Sequence, residues 1–465
     1  MTIAWRLAEN ILAVRHDVLP PEAVHWAKVG ILDTVAVTLA GAPEECTRLT
    51  AALPGIAETE GPSQLFAMGR RASVLDAALI NGVASHALDF DDVNNQIGGH
   101  PSVPLVPALF AVADLVGGVS GRDAIAAYVA GFEAETQIGL GVHYHHYNKG
   151  WHPTATLGIF GTVAVASRLM NFSVEQTAMA LGMATSLASG VKANFGTMTK
   201  PLHVGHSLRN GVMAALLIRD GFTANAGAFE HKQGFFEVFN GAGTYDAERI
   251  FEGWGAPWNV TDPGPNLKAY PCCGSTHGAI DCALAIRGQD GFDTDEIASV
   301  EMLTDPKRLP HTDNPDPGSG LEAKFSVHYV VARGLLDGAV RLGDFENAAY
   351  GDATARALMA KVKTGAHPDM MDPDVDSYGA ELTVTLNDGR TFSHRMDGAV
   401  LRGPARPMSD AELRAKFDDC AARAMPTAAS AALFDRLSAL EIEPDIAKIS
   451  KLAAGVGAKD IRAAE

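Results

Sequence analysis

Several segments in the first 260 residues are apolar around the whole circumference of a helix, and this pattern leaves few folds open. The clearest are ILDTVAVTLAG (31–41), VPLVPALFAVADLVGG (103–118) and TATLGIFGTVAVASRLM (154–170). A helix without a polar face has to be surrounded by other helices. We therefore predict a multilayered helical domain, with Gly41 as a helix C-cap and Thr154 as a helix N-cap.

The pattern changes near residue 262, where Thr-Asp-Pro-Gly-Pro (261–265) has the composition of a linker. Strand patterns follow at 297–305 and 379–396, the latter a hairpin around 387–389, and residues 325–338 between them predict a helix. The sequence thus predicts a mainly α protein. Residues 1–262 and 405–465 would form a large all-α domain, and residues 266–403 a smaller α+β domain.

Two further helix starts carry the signature of a capping box, in which a serine and a residue three positions later satisfy each other's backbone amides. One is Ser173 with Gln176, and the other is Ser409 with Glu412. The second would open a set of short C-terminal helices. Because short helices cannot bury themselves, we expect them to return to the first domain.

The net charge of -18 means that an anionic small molecule could bind only at a local cluster of Lys, Arg or His. It repels nucleic acid and anionic lipid, so we expect neither a nucleic-acid nor a membrane partner. The residues after Met1 lack a secretory apolar stretch, and the longest apolar run (154–167) is shorter than the roughly 20 residues of a spanning helix. We expect a soluble cytoplasmic protein whose five cysteines are packed thiols.

Four segments concentrate ionisable side chains within these apolar surroundings: HALDFDDVNNQIGGHPS (86–102), KGWHPTATLG (149–158), GTMTKPLHVGHSLRNG (196–211) and LKAYPCCGSTH (267–277). Each side chain alone has an ordinary explanation, as a helix cap, a turn histidine or a solvated lysine. Together they would supply acids, bases and carboxylate-binding groups. No GxGxxG or P-loop is present, so we expect no nucleotide or redox cofactor, and we predict no metal.

His152 is the strongest single candidate. It precedes Pro153 and lies beside the predicted start of a very apolar helix. Partial burial and the positive end of the helix dipole both favour the neutral imidazole. We therefore predict that His152 acts as a base.

The motifs as a set resemble the MmgE/PrpD family. The resemblance is carried, in chain order, by ILDTVAVTLAG, HALDFDD with a downstream HPS, GWHPTATLG, GTMTKPLHVGH, KAYPCCGSTH and FSVHY. This family includes dehydratases, decarboxylases and an epimerase that act on small polycarboxylates. The resemblance implies that the smaller α+β domain is a lid, that the protein is a homodimer and that its partner is a small polycarboxylate substrate.

Carried over by position, the resemblance implies two groups of site residues. The catalytic residues would be His152, His100, Lys200, Asp89 and Tyr329, and the substrate-binding residues would be Lys268, Lys200 and His203. The lysines would hold carboxylates and offset the extra charge of an aci-carboxylate, while the histidines move protons. Asp89 would orient a histidine, and Tyr329 would donate to a carboxylate or a leaving hydroxyl.

These groups would serve dehydration, decarboxylation and epimerisation equally well. We expect a cofactor-independent lyase acting on a di- or tricarboxylate, with an epimerase of a dicarboxylate such as iminodisuccinate as the alternative. Val93 stands where decarboxylase-like members carry a hydroxyl residue, and Cys273 where a decarboxylase histidine falls. The product therefore stays open.

Three other functions are compatible with parts of the sequence. DDVNN (91–95) resembles the magnesium-binding motif of terpenoid synthases, but a second such motif is missing and only 7% of residues are aromatic. A metal hydrolase would use Asp91, His100 and His152. A non-catalytic helical scaffold would not need buried lysines and histidines.

Overall fold

The computed structural model of the protein describes residues 1–372, 377–398 and 400–455. The chain forms two compact units, one of residues 1–267 with 408–465 and one of residues 268–407. The segment 261–265 lies at the end of the first part of unit 1, and the segment 404–407 ends unit 2. The predicted domain boundaries, 1–262 with 405–465 and 266–403, stay a prediction.

Helices predominate, which confirms the mainly α class. The α-helices are Ile3–Ala13 (α1), Pro21–Gly41 (α2), Glu45–Ala51 (α3), Val74–His86 (α4), Val106–Val116 (α5), Gly121–Val142 (α6), His145–Lys149 (α7), Pro153–Thr156 (α8), Gly158–Leu169 (α9), Val174–Leu187 (α10), Thr199–Arg219 (α11), Phe235–Phe239 (α12), His277–Arg287 (α13), Leu309–Thr312 (α14), Gly320–Ala323 (α15), Val327–Asp337 (α16), Ala353–Met359 (α17), Asp410–Ala421 (α18), Thr427–Ser438 (α19) and Ala447–Ala453 (α20).

The all-round apolar helix α2 lies in the core of unit 1. Among the described helices it is the one long and apolar enough to cross a membrane, but 78% of its most apolar window is buried inside the protein. Asp33 in its middle forms a buried ion pair with Lys416 of α18, with Nζ 2.6 Å from Oδ1. This environment is that of a core helix in a globular protein.

The predicted C-cap at Gly41 is wrong. Gly41 is the last residue of α2, and the C-cap is Ala42 in a right-handed conformation. A Cβ atom on Gly41 would lie 2.0 Å from the carbonyl oxygen of Ala84 in α4. The glycine is needed because two helices approach closely there, and not because the backbone adopts a left-handed conformation.

A pair of glycines also brings α4 and α11 together. A Cβ atom on Gly82 would lie 2.8 Å from the Cα atom of Gly205, and one on Gly205 would lie 2.4 Å from the carbonyl oxygen of Leu79. Both helices carry ionisable residues at one end, His86 on α4 and Lys200 on α11. The close contact therefore brings two of the four ionisable segments together.

The predicted helix at 154–170 is broken in the structure. Pro153 opens the four-residue helix α8, and α9 begins at Gly158. Thr154 is thus inside the first turn, and His152 occupies the N-cap position instead. Proline is preferred at the first helical position because its ring fixes a helical φ and because the amide hydrogen that it lacks would have no partner within the helix there. A short antiparallel hairpin, Ser63–Leu65 (β1) with Arg70–Ala72 (β2), was also missed.

Both predicted capping boxes are confirmed. Ser173 and Gln176 satisfy each other's backbone amides at the start of α10, and Ser409 and Glu412 do so at the start of α18. Helix α18 packs on α2 through the Lys416 ion pair, within unit 1.

Unit 2 is built on a four-stranded sheet with the order β4-β3-β5-β6. Its strands are Ile297–Thr304 (β3), Val362–Ala366 (β4), Ala380–Leu386 (β5) and Thr391–Met396 (β6). β3 and β4 are parallel, and the other pairs are antiparallel. The predicted hairpin around 387–389 and the helix predicted at 325–338, found as α16, are confirmed. Helices α13 and α16 contribute Ile280 and Val330 to the core beside the sheet.

Candidate active site

Three of the four ionisable segments meet in unit 1. The first runs from His86, the last residue of α4, through the loop to His100. The second places His152 immediately before α8, and the third places Lys200 and His203 on α11. Of the predicted site residues, Asp89, His100, His152, Lys200 and His203 are thus brought together.

Asp91 lies at the centre of this cluster, between two histidines. His86 Nδ1 lies 2.8 Å from Asp91 Oδ2, and His100 Nδ1 lies 2.9 Å from the same oxygen. Burial alone would raise the pKa of Asp91, but His100 and His86 outweigh it and hold that pKa well below its usual value. Asp91 is therefore a carboxylate near neutral pH, and the His86 nitrogen that faces it has to be the donor.

Asp89 pairs with Lys200. The backbone of Asp89 has a φ of 53°, a left-handed conformation that aspartate tolerates better than most residues. Its Oδ1 accepts a hydrogen bond of 2.7 Å from Lys200 Nζ and lies 3.5 Å from His100 Nε2. The lysine ammonium therefore lies within the histidine cluster and not in bulk solvent.

His152 is 2% exposed and has aromatic rings on three sides. Its ring stacks on that of His86 with the centroids 5.7 Å apart, and the Phe195 ring lies nearly perpendicular to it with the centroids 4.9 Å apart. Its Nδ1 lies 3.2 Å from Nδ1 of His203. Its Nε2 and the Nε2 of His86 are buried and have no hydrogen-bond partner within the described residues.

The surroundings keep these two histidines neutral. Burial lowers the pKa of His86 from 6.5 to about 4, although Asp91 opposes the shift. Burial, the neighbouring His86 and Lys200 together hold the pKa of His152 well below 6.5. The cluster thus offers neutral imidazoles next to an ammonium group, a combination suited to moving a proton beside a carboxylate.

Asp92 does not belong to the cluster, although it follows Asp91 in the chain. Its Oδ2 accepts a hydrogen bond of 2.6 Å from Ser102 Oγ, which lies 2.6 Å from the hydroxyl of Tyr128. The Asn94 amide donates to the carbonyl of Gly264. These side chains hold the loop in place, so the geometry does not support the magnesium motif at 91–95.

Four side chains satisfy the distances of a metal site: each of His86, Asp89, Asp91 and His100 has one possible ligand atom, all within 4.8 Å of one another. Lys200 Nζ lies 2.7 Å from Asp89, where its charge disfavours a second cation. The hydrogen bond from His86 to Asp91 is enough to hold these two of the four side chains close together without a metal ion. Hydrogen bonds and close ion pairs thus link the four side chains to one another.

The remaining predicted residues, Lys268 and Tyr329, belong to unit 2. Lys268 is 5% exposed. The hydroxyl of Tyr329 donates to the carbonyl of Asp344 and accepts a 3.0 Å hydrogen bond from Arg333 Nε. Tyr329 is thus part of the core of unit 2, and its predicted catalytic role stays a prediction.

The cysteine prediction is tested by Cys272, which belongs to unit 2. Burial raises the pKa of the Cys272 thiol to about 12, as expected for a packed cysteine.

Sequence reasoning missed His86, Phe195 and Lys416. His86 ends an apolar helix, where a lone histidine is usually a core residue. Lys416 is distant in sequence, yet its Nζ donates to the carbonyl of Phe90, between Asp89 and Asp91. The lysine thereby ties α18 to the loop that carries the carboxylates.

Two family models match the chain. The MmgE/PrpD N-terminal domain matches residues 5–248, and the MmgE/PrpD C-terminal domain matches residues 270–440. Together they cover most of unit 1 and unit 2.

Similar proteins include three cis-aconitate decarboxylases. The chain is 29% identical to the one from Mus musculus, over 83% of this chain and 79% of the relative. It is 29% identical to the one from Homo sapiens, over 90% and 87% of the two chains. It is 25% identical to the one from Aspergillus terreus, over 86% and 85%.

Proposed function

Because the chain belongs to the MmgE/PrpD family, we propose that it is a cofactor-independent lyase that removes carbon dioxide or water from a small tricarboxylate. The names of its relatives make decarboxylation of cis-aconitate the first reaction to test. One observation supports the chemistry above all others. His152 is buried, its Nε2 has no hydrogen-bond partner within the described residues, and it lies next to the neutral imidazole of His86 and within the field of Lys200.

In decarboxylation the bond between the carbon skeleton and one carboxylate breaks and carbon dioxide leaves. The electron pair stays on the skeleton and spreads onto a remaining carboxylate, which gains negative charge. Lys200 would bind this carboxylate and stabilise the added charge. A proton then forms the new C–H bond, and His152 is the group we assign to deliver it. Asp89 and His100 would fix the position of the Lys200 ammonium group relative to the substrate.

Dehydration uses the same groups in another order. Neutral His152 would take a proton from carbon, and the hydroxyl group would leave as water with a proton from a second acid, for which His100 is the candidate. The predicted roles of Lys268 in holding a carboxylate and of Tyr329 in donating a hydrogen bond belong to this proposal. For Tyr329, donation to substrate requires that its bond to Asp344 is given up.

The spacing of His86 and His152 argues against this pair as the two bases of the epimerase alternative. Epimerisation exchanges protons on opposite faces of a planar intermediate. Two van der Waals contacts of about 3.5–4 Å would need rings about 7–8 Å apart, and these centroids are 5.7 Å apart. The two rings cannot flank a substrate, so an epimerase would need another pair, such as His100 with His152.

The experiment is to incubate the pure protein with cis-aconitate, citrate, 2-methylcitrate or iminodisuccinate in heavy water and follow the products by proton NMR. Loss of cis-aconitate with release of carbon dioxide and one deuterium per product supports decarboxylation. A new alkene from citrate or 2-methylcitrate supports dehydration. Deuterium uptake without net product would instead establish epimerisation, and no reaction with any of the four would refute the proposal.

Assembly as a homodimer and a cytoplasmic location are part of the same proposal. The dimer is inferred from the family resemblance alone. Sedimentation is expected to give twice the 48.9 kDa of the chain, and a species of 48.9 kDa at working concentration would contradict it.

A further inference from the structure

The proposed chemistry requires a path by which a proton reaches the buried ring of His152. Its ring is 2% exposed, and its low pKa keeps it neutral in the resting protein. A lyase that protonates carbon has to load this ring with one proton in every turnover. A bound tricarboxylate would favour the charged imidazole by its negative charge, but the proton still has to reach the ring.

Three aromatic side chains contact the His152 ring, and they differ in what they offer a proton. His86 is itself buried, and its Nδ1 is committed to the buried Asp91. Phe195 has no ionisable group. His203 is partly exposed, and its Nδ1 lies 3.2 Å from the Nδ1 of His152. Among these three neighbours within the described residues, only His203 joins the buried ring to the surface through an ionisable group.

The backbone holds His203 in this position. The His152 amide donates to the carbonyl of Gly190, which has a φ of 126°. A Cβ atom on Gly190 would lie 3.3 Å from Cγ of His203, so the glycine leaves room for the imidazole. His203 lies one turn after Lys200 on α11, on the same face of that helix.

We propose that His203 is a proton relay between solvent and His152, and not a residue that binds substrate carboxylate. The proposal rests on the proposed function, since it assigns the source of the proton that His152 delivers. His203 accepts a proton from water at its outer nitrogen and passes its Nδ1 proton to Nδ1 of His152. His152 then gives its Nε2 proton to the substrate carbon, which leaves each neutral ring with its hydrogen on the other nitrogen. The starting tautomers return after the product leaves: His152 Nε2 takes a proton from water that enters the emptied site, the shared hydrogen moves back to Nδ1 of His203, and His203 releases its outer proton to water.

Two facts are consistent with this path. Nitrogen atoms at 3.2 Å share a single hydrogen, so one ring donates while the other accepts. Burial, with smaller effects from His206 and Lys200, lowers the pKa of His203 as well. Both rings are therefore neutral at rest and ready to exchange that hydrogen.

The test compares His203→Ala with His206→Ala on the substrate that the wild-type protein consumes. His206 is the matched control: it lies on the next turn of α11, is exposed, and contacts Ser189 and Asn210 instead of His152. We expect His203→Ala to lower kcat by about 10-fold to 100-fold, within the scale of general acid–base catalysis. KM should stay within about twofold of wild type, because a relay is not a carboxylate ligand. His206→Ala should retain wild-type kcat.

Added imidazole distinguishes a relay from a structural role. It should restore kcat of His203→Ala in a saturable manner and leave the wild-type protein and His206→Ala unchanged. A raised KM with unchanged kcat, or a low kcat that imidazole does not restore in a folded variant, would overturn the relay. If His203→Ala does not fold, His203→Gln replaces it, and a normal kcat for His203→Gln would be equally decisive against the proposal.

Failure of the proposed function has a different signature. In that case the wild-type protein itself consumes none of the four substrates. The relay is then tested by NMR on protein with nitrogen-15-labelled histidine, through the exchange of the His152 ring proton with water. His203→Gln should slow this exchange at least tenfold, and an unchanged exchange rate would refute the relay.

Discussion

Replacing Asp92 by asparagine probes a buried acid that the structure holds in its neutral form. The Asp92 side chain is buried, and its contacts are the Ser102 hydroxyl and, through it, the hydroxyl of Tyr128. A Cβ atom on Gly30 would lie 2.2 Å from that Tyr128 hydroxyl, so the glycine makes room for it. Burial raises the pKa of Asp92 from 3.8 to about 8, against the opposing Ser102 hydrogen bond.

The sign and size of the effect follow from these values. Between about pH 4 and pH 8 the folded protein keeps a proton on Asp92 that the unfolded chain releases. Its stabilising effect is complete below pH 4 and is lost as the pH rises towards 8, by about 1.4 kcal/mol per pH unit. Asparagine preserves the shape and does not titrate. The free energy of unfolding of the wild type minus that of Asp92→Asn should therefore fall by about 3 kcal/mol from pH 5 to pH 7.

Tryptophan fluorescence during urea unfolding is the assay. All five tryptophans, Trp5, Trp26, Trp151, Trp254 and Trp258, lie in unit 1, as Asp92 does, so the signal reports on the right unit. Taking the difference between the two proteins cancels the other titrating groups. The infrared carbonyl band of a neutral carboxylic acid should also be weaker in Asp92→Asn at pH 7. A stability difference that does not change between pH 5 and pH 7 would refute the neutral acid and reopen a metal-binding role for Asp92.

Three further predictions follow from the site and its supports. Lys200→Ala should raise KM and lower kcat/KM for the tricarboxylate by about 10-fold to 100-fold, because an ammonium–carboxylate hydrogen bond is lost; unchanged steady-state constants would contradict the assignment. Activity should survive exhaustive EDTA treatment, whereas activity that is lost and then restored by a divalent metal would make His86, Asp89, Asp91 and His100 a metal site. Gly205→Ala should destabilise unit 1 by about 1–3 kcal/mol, since the new Cβ would lie 2.4 Å from the Leu79 carbonyl oxygen; wild-type urea stability would disprove this close approach.

Local signals in the sequence predicted much of the fold. All-round apolar segments located the buried helices, and serine with an acid or amide three positions later located two helix starts. The turn residues at 387–389 located a hairpin. Errors arose at residues that are common in two different structural roles. Gly41 was assigned to a helix end but serves a helix contact, and the helix expected from Thr154 begins at Pro153.

The site was less predictable because its contacts join distant segments. Asp91 and Asp92 are equivalent in the sequence, yet one lies between two histidines and the other binds Ser102 in the core. His152 and His203 are 51 residues apart, and their contact depends on how α11 packs. Helix periodicity describes the faces of one helix and carries no information on which other helix they meet.

A comparison of the wild-type protein with His152→Ala shows whether His152 moves a proton on a tricarboxylate. The turnover of His152→Ala is measured on the substrate that the wild-type protein consumes, together with the melting temperature of both proteins. We predict a loss in kcat of about 100-fold or more, within the scale of general acid–base catalysis, with a melting temperature close to that of wild type. Near-normal turnover with a melting temperature many degrees lower would show that the histidine is structural and does not carry the proton.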